Sequence, residues 1–163
     1  MAGGLEKGNL FRRMVNLTLN IIATMAMLSA FLPMRSWARL EGVPVPNHFD
    51  IHGMADGTGD RGILLTLALV GLGFYIIMIL AQCFPQLINL PVPAHRESVA
   101  KDVKRDLAAQ LNLLITLLFS FGANSTLSVA AGNALKLDMR FILADLVLIL
   151  LCIGVAVFRI YRK

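Results

Sequence analysis

The chain alternates long apolar runs with short polar interruptions. Uncharged stretches lie between Arg13 and Arg35, between Arg61 and His95, and between Asp106 and Lys136, while a fourth run, 141–158, is interrupted only by Asp145. Each supplies the ~20 residues that an α-helix needs to cross about 30 Å of hydrocarbon. The pattern predicts an all-α integral membrane protein, a single membrane domain over 1–163. Its four transmembrane helices are expected at about 14–34, 63–84, 107–128 and 141–158, with one ordered loop at 35–62.

Polar residues inside these runs are periodic. Asn16, Asn20 and Thr24 recur every fourth residue in the first, and Asn112, Thr116, Ser120, Asn124 and Ser128 do the same in the third, so each set forms a stripe on one helical face. Polar side chains in hydrocarbon face protein or water, and the two stripes are expected to face each other beneath the loop. Two readings stay open, interhelical hydrogen bonding and a jointly lined hydrated cavity. Asp145 joins Asn16, Asn20, Asn112 and Asn124 as a candidate intramembrane polar cluster, because an ionisable group within a span is costly. It lies about one turn inside its helix, where water or Arg140 could serve it.

The connections read as follows. Pro33 and Pro85 close the first two spans, and the NLPVP run at 89–93 is extended, since proline removes a donor and biases its predecessor away from α. Residues 95–106 carry mixed charge and are expected to be an amphipathic helix start lying at the membrane surface, with a solvated face. Gly71 and Gly73 are expected to let a neighbouring helix approach closely.

Composition supports the membrane reading, with 57% hydrophobic and 15% charged residues and a mean hydropathy of +0.72. The net charge of +5 points to membrane lipid rather than nucleic acid, because the basic residues flank apolar spans and no basic run interleaves with aromatics. Ten Lys and Arg fall at the two termini and between the second and third spans, against five in the first loop and the last connection. By the positive-inside rule both termini are cytoplasmic and the loop is extracytoplasmic. Cys83 and Cys152 read as free thiols. The first span, with Asn16 and Asn20 inside it, reads as uncleaved rather than as a signal peptide.

Candidate chemistry is confined to the loop. His48, Asp50 and His52 alternate, so an extended backbone would present all three on one face, a donor set suited to zinc, copper or nickel. A structural cap and a partner- or peptide-binding surface are the other readings of the same stretch. Asp56 and Asp60 follow among Gly53, Gly57, Gly59 and Gly62. The spacing lacks the glycine and bidentate glutamate of a calcium loop. Gly57-x-Gly59-x-x-Gly62 matches a dinucleotide fingerprint in spacing but precedes a membrane span and follows no βαβ strand. With no nucleophile elbow, metalloprotease helix or P-loop, a non-enzymatic protein without a cofactor is expected.

The run Pro46, His48, Phe49, Gly53, Asp56, Gly57, Gly59 and Arg61, set between the first two spans, resembles the signature of a bacterial membrane family. That family carries a domain of unknown function found at the N-terminus of Sdp-type toxin immunity proteins. Its usual pattern is Pro-x-His-Phe, then Gly-x-Pro-Asp-Gly-Trp-Gly and a basic residue. Ala55 and Thr58 stand here where proline and tryptophan are common. The resemblance implies an inner-membrane location and a loop that recognises a ligand, in immunity to or sensing of a peptide or toxin. The alternative partner is another membrane subunit, with this chain an accessory of a larger complex or transporter.

Overall fold

The computed structural model describes residues 2–90 and 92–162. Four helices dominate: α1 (Ala2–Ser29), α2 (Gly62–Cys83), α3 (Glu97–Ala130) and α4 (Met139–Tyr161). All four are long and apolar enough to cross a membrane, so the chain is an all-α, multi-pass membrane protein. Between α1 and α2 the chain adds two short 3-10 turns and an antiparallel hairpin, β1 (Val45–Phe49) with β2 (Ala55–Gly59).

α3 is central. The helices α1, α2 and α4 each pack on it, α1 and α2 touch one another less, and α4 rests chiefly on α3. Its 34 residues make a rod of about 50 Å, well beyond the thickness of hydrocarbon. That length takes in the helix start expected at 95–106, but not the solvated face expected of it. From Glu97 onward the segment is the start of α3, because Ala100, Val103 and Leu107 bury against Ala156 and Ile160 of α4. Its acids are not uniformly solvated either, since Asp106 is buried.

Small side chains set the helix spacing. Ala23, Ala26 and Ala30 of α1, Ala68 of α2, and Ala108 and Ala123 of α3 are all buried. Inside lipid no hydrophobic force drives helices together, so close backbone approach and van der Waals contact must do so. At Gly71 a Cβ would lie 2.9 Å from Phe119 Cβ, whereas Gly73 faces open space. Only Gly71 supplies the close approach expected of both. Leu17, Ile21 and Met25 of α1 and Leu143, Val147 and Leu150 of α4 are exposed, as lipid-facing positions should be.

α1 ends at Ser29, short of the expected boundary, and Pro33 sits at the start of the 3-10 turn Leu32–Ser36. The chain tightens there because proline offers no N–H to continue an α-helix. The hairpin is then seated on the bundle end by Leu40, Val45 and Leu64, which pack with Leu127 and Ala130 of α3.

Candidate functional site

The loop is built around its glycines. β1 and β2 pair Val45 with Gly59 and Phe49 with Ala55, with irregular register around His48. Gly57 and Gly59 lie flat against β1, where added Cβ atoms would meet the Asn47 side chain at 2.8 and 3.1 Å. The strand ends at Phe49 and the chain turns. Asp50 Oδ1 accepts from the His52 and Met54 amides at 2.9 and 2.8 Å, and Gly53 N–H donates to Asp50 O at 2.9 Å. This is a side-chain-closed turn of the kind aspartate favours.

Gly53 clamps the loop to the bundle. It holds φ at +80°, and its carbonyl accepts from the Leu137 amide at 2.8 Å in the connection between α3 and α4. A Cβ here would sit 2.0 Å from Leu137 O. The second arm of the loop is held by Arg61, whose Nη1 donates to Trp37 O at 2.7 Å while the guanidinium lies 4.9 Å from the Trp37 ring. Asp60 Oδ1 accepts from the Gly62 amide at 2.5 Å, satisfying a donor at the start of α2.

The metal expectation for His48, Asp50 and His52 is corrected by this geometry. Their alternation would share a face only on a continuous strand, and the turn at Asp50 breaks it. His48 Nδ1 bonds Asp56 Oδ1 across the hairpin at 2.5 Å, Asp50 binds backbone amides, and His52 borders a groove with Lys136 and Arg140. Among the described residues no three His, Cys, Asp or Glu side chains group closely enough to hold a metal ion. The exposed His48–Asp56 pair shapes the surface more than it stabilises it.

Asp50 makes the turn sensitive to acid. The Met54 amide above all, with those of His52 and Gly53, holds its carboxyl below the ordinary value of 3.8. A depressed folded-state pKa contributes order that is complete above the unfolded value and is lost as pH falls through the folded one. Amide exchange at His52 and Met54 should therefore accelerate below pH 3.8. In Asp50→Asn, whose amide still accepts a hydrogen bond, the same two amides should show no such step.

Beneath the loop, the polar stripes meet in a seam between α1 and α3, with α2 contributing. Asn112 Nδ2 donates to Asn20 Oδ1 at 3.0 Å. Asn20 also exchanges two hydrogen bonds with Gln82 of α2, at 2.6 and 3.1 Å. Thr24 bonds the Tyr75 hydroxyl at 2.8 Å, Ser29 bonds Ser120, and Asn124 Nδ2 donates to Ser29 O at 3.0 Å. Asn112 and Thr116 are fully buried. The side chains bond directly to one another, so the seam is packed.

At the other end of the bundle, Asn16 Nδ2 donates to Asp106 Oδ1 at 2.9 Å, and Asp106 also meets Arg159 at 3.3 Å and Arg12 at 3.6 Å. This node joins α1, α3 and α4. Asp145 stands apart from the seam. It is buried on α4, its Oδ2 has no partner among the described residues, and Arg140 instead grips Asp138 with two bonds of 3.1 Å.

Several contributors lay outside the sequence reading. Gln82 and Tyr75 sit singly on α2 and so form no stripe, and Asp106 is hidden in a charge-rich run. Leu137 acts through its backbone, which side-chain identity does not report. The chain matches no protein-family model, no curated protein and no solved structure.

Proposed function

We propose that the chain is a non-enzymatic protein of the bacterial inner membrane whose extracytoplasmic loop recognises a ligand, in immunity to or sensing of a membrane-active peptide or toxin. The observation that carries this reading is the way the loop is held. It is fixed from below at Gly53, Val45 and Arg61, yet Ile51 at its tip is 82% exposed and His48, His52 and Met54 are exposed beside it. Holding a loop rigid while leaving apolar and polar side chains uncovered lowers the ordering cost of binding. The signature resemblance at Pro46, His48, Phe49, Gly53 and Asp56 supports the immunity class, and the Lys/Arg asymmetry supports cytoplasmic termini.

A second reading, an accessory subunit of a larger membrane complex or transporter, is favoured by α4. It rests chiefly on α3, and the buried Asp145 Oδ2 lacks a partner among the described residues. One experiment with two readouts tests the first reading. A cysteine at the exposed Thr58 should react with a membrane-impermeant thiol reagent in intact spheroplasts. Cells producing the chain should also survive a membrane-active peptide that kills cells lacking it, and Ile51→Asp should cancel that protection. Labelling only after lysis would overturn the orientation. Unchanged killing across a panel of such peptides, with one stoichiometric membrane partner co-purifying, would replace the immunity reading with the subunit one.

A further inference from the structure

At the end of the bundle that carries both termini, the connection between α2 and α3 and the first turns of α3 enclose a groove of about 480 Å3. Its apolar floor is made by Pro85, Leu90, Val92 and Ala100, and Leu90 and Val92 pack on the α3–α4 core cluster. Its rim carries Lys101 and Lys104, one helical turn apart, with Glu97 as the one acid lining it among the described residues.

The charges around this groove are sorted. Asp102 is held by Arg12 at 2.9 Å, Asp106 is shared by Arg12, Arg159 and Asn16, and Arg105 Nε donates to Gln82 O at 3.1 Å. The neighbouring acids and that arginine are therefore engaged in tying helices together. Lys101 and Lys104 carry no ion pair among the described residues, which leaves an excess of positive charge at the rim of an apolar groove.

We propose that this groove binds the headgroup of an anionic phospholipid from the surrounding bilayer. Lys101 and Lys104 take the phosphate, and Leu90, Val92 and Pro85 lie against the glycerol and the first acyl carbons. The pairing of cations with an apolar floor at the ends of spanning helices is what separates a lipid from a freely soluble anion. Basic pockets between transmembrane helices recognise lipid headgroups in this way.

The test uses the whole chain in nanodiscs of equal parts phosphatidylglycerol and phosphatidylcholine, followed by native mass spectrometry of the released protein. Wild type should retain phosphatidylglycerol in preference to phosphatidylcholine. Lys101→Gln/Lys104→Gln should lower that retention roughly thirtyfold, since each cation near an anionic surface contributes a factor of about five. Lys101→Arg/Lys104→Arg should keep it, and Lys136→Gln at the opposite end should leave it unchanged. Equal retention of both lipids by wild type, or undiminished retention by the glutamine variant, overturns the proposal. So does an equal loss in Lys136→Gln. Inorganic phosphate that displaces the lipid where chloride of the same ionic strength does not would mark a site for a soluble anion and overturn the lipid assignment. Should the glutamine variant fail to fold, wild type alone decides: its preference must fall with added salt, and a salt-independent preference overturns the proposal.

Discussion

Gly53→Ala should be among the most damaging single substitutions in this protein, with an expected loss of roughly 2 to 5 kcal/mol, because it combines two penalties. The residue holds φ at +80°, and its new Cβ would lie 2.0 Å from a backbone oxygen, Leu137 O. A flexible side chain could move aside, but a carbonyl fixed between two helices cannot do so cheaply. The loop should detach from the connection between α3 and α4, and exchange at the Leu137 amide should rise with it. Gly42→Ala separates the two effects. That glycine has φ +72° with open space where its Cβ would go, so it should lose only the conformational part, about 1 to 3 kcal/mol. Equal thermal destabilisation by the two substitutions would show that the Gly53–Leu137 clamp contributes nothing of its own.

The contrast between those glycines also marks what sequence could and could not convey here. Four spans were legible because hydrocarbon thickness imposes a length on any uninterrupted apolar run, and the observed helices include all four. The facing of Asn20 and Asn112 was legible for a related reason, since lipid tolerates few amides and a period of four fixes the face they occupy. The loop was harder. Its glycines announced tight backbone geometry, but which atoms approach Gly53 depends on a connection some eighty residues away in the chain. His48, Asp50 and His52 misled because alternation implies a shared face only while a strand continues. The Asp50 side chain captures the amides of His52 and Met54 and ends the strand. Residues 95–106 misled in the opposite direction. Their charges suggested a solvated face, yet Ala100 and Val103 carry that segment into the core with α4, and Asp106 is buried beneath two more-exposed arginines that pair with it.

The seam yields the second large effect, and its hydrogen bonds specify an order of severity that polarity alone would not. Asn20 is the hub: its Oδ1 accepts from Asn112 Nδ2 and Gln82 Nε2, and its Nδ2 donates to Gln82 Oε1. Replacing it with leucine leaves a fully buried Asn112 donor without its acceptor and breaks both bonds to Gln82. An unsatisfied buried group costs about 1 to 3 kcal/mol, whereas an interhelical hydrogen bond in a membrane averages only ~0.6 kcal/mol. Asn20→Leu should accordingly destabilise the bundle by about 2 to 3 kcal/mol. Asn112→Leu should cost less, ~1 kcal/mol, because Asn20 Oδ1 keeps its Gln82 donor and the substitution also removes Asn112 Oδ1, which is buried without a partner among the described residues. Thr18→Leu, at an exposed α1 position whose hydroxyl bonds the Met14 carbonyl of its own helix, should be nearly silent. The double variant Asn20→Leu/Asn112→Leu should then be less destabilised than the two single losses added together, since removing both partners leaves no orphan between them. Thermal unfolding in detergent measures all four proteins. Strict additivity, or a larger effect at Asn112 than at Asn20, would mean that the stripes contribute through packing volume and not through the hydrogen bonds that join α1, α2 and α3.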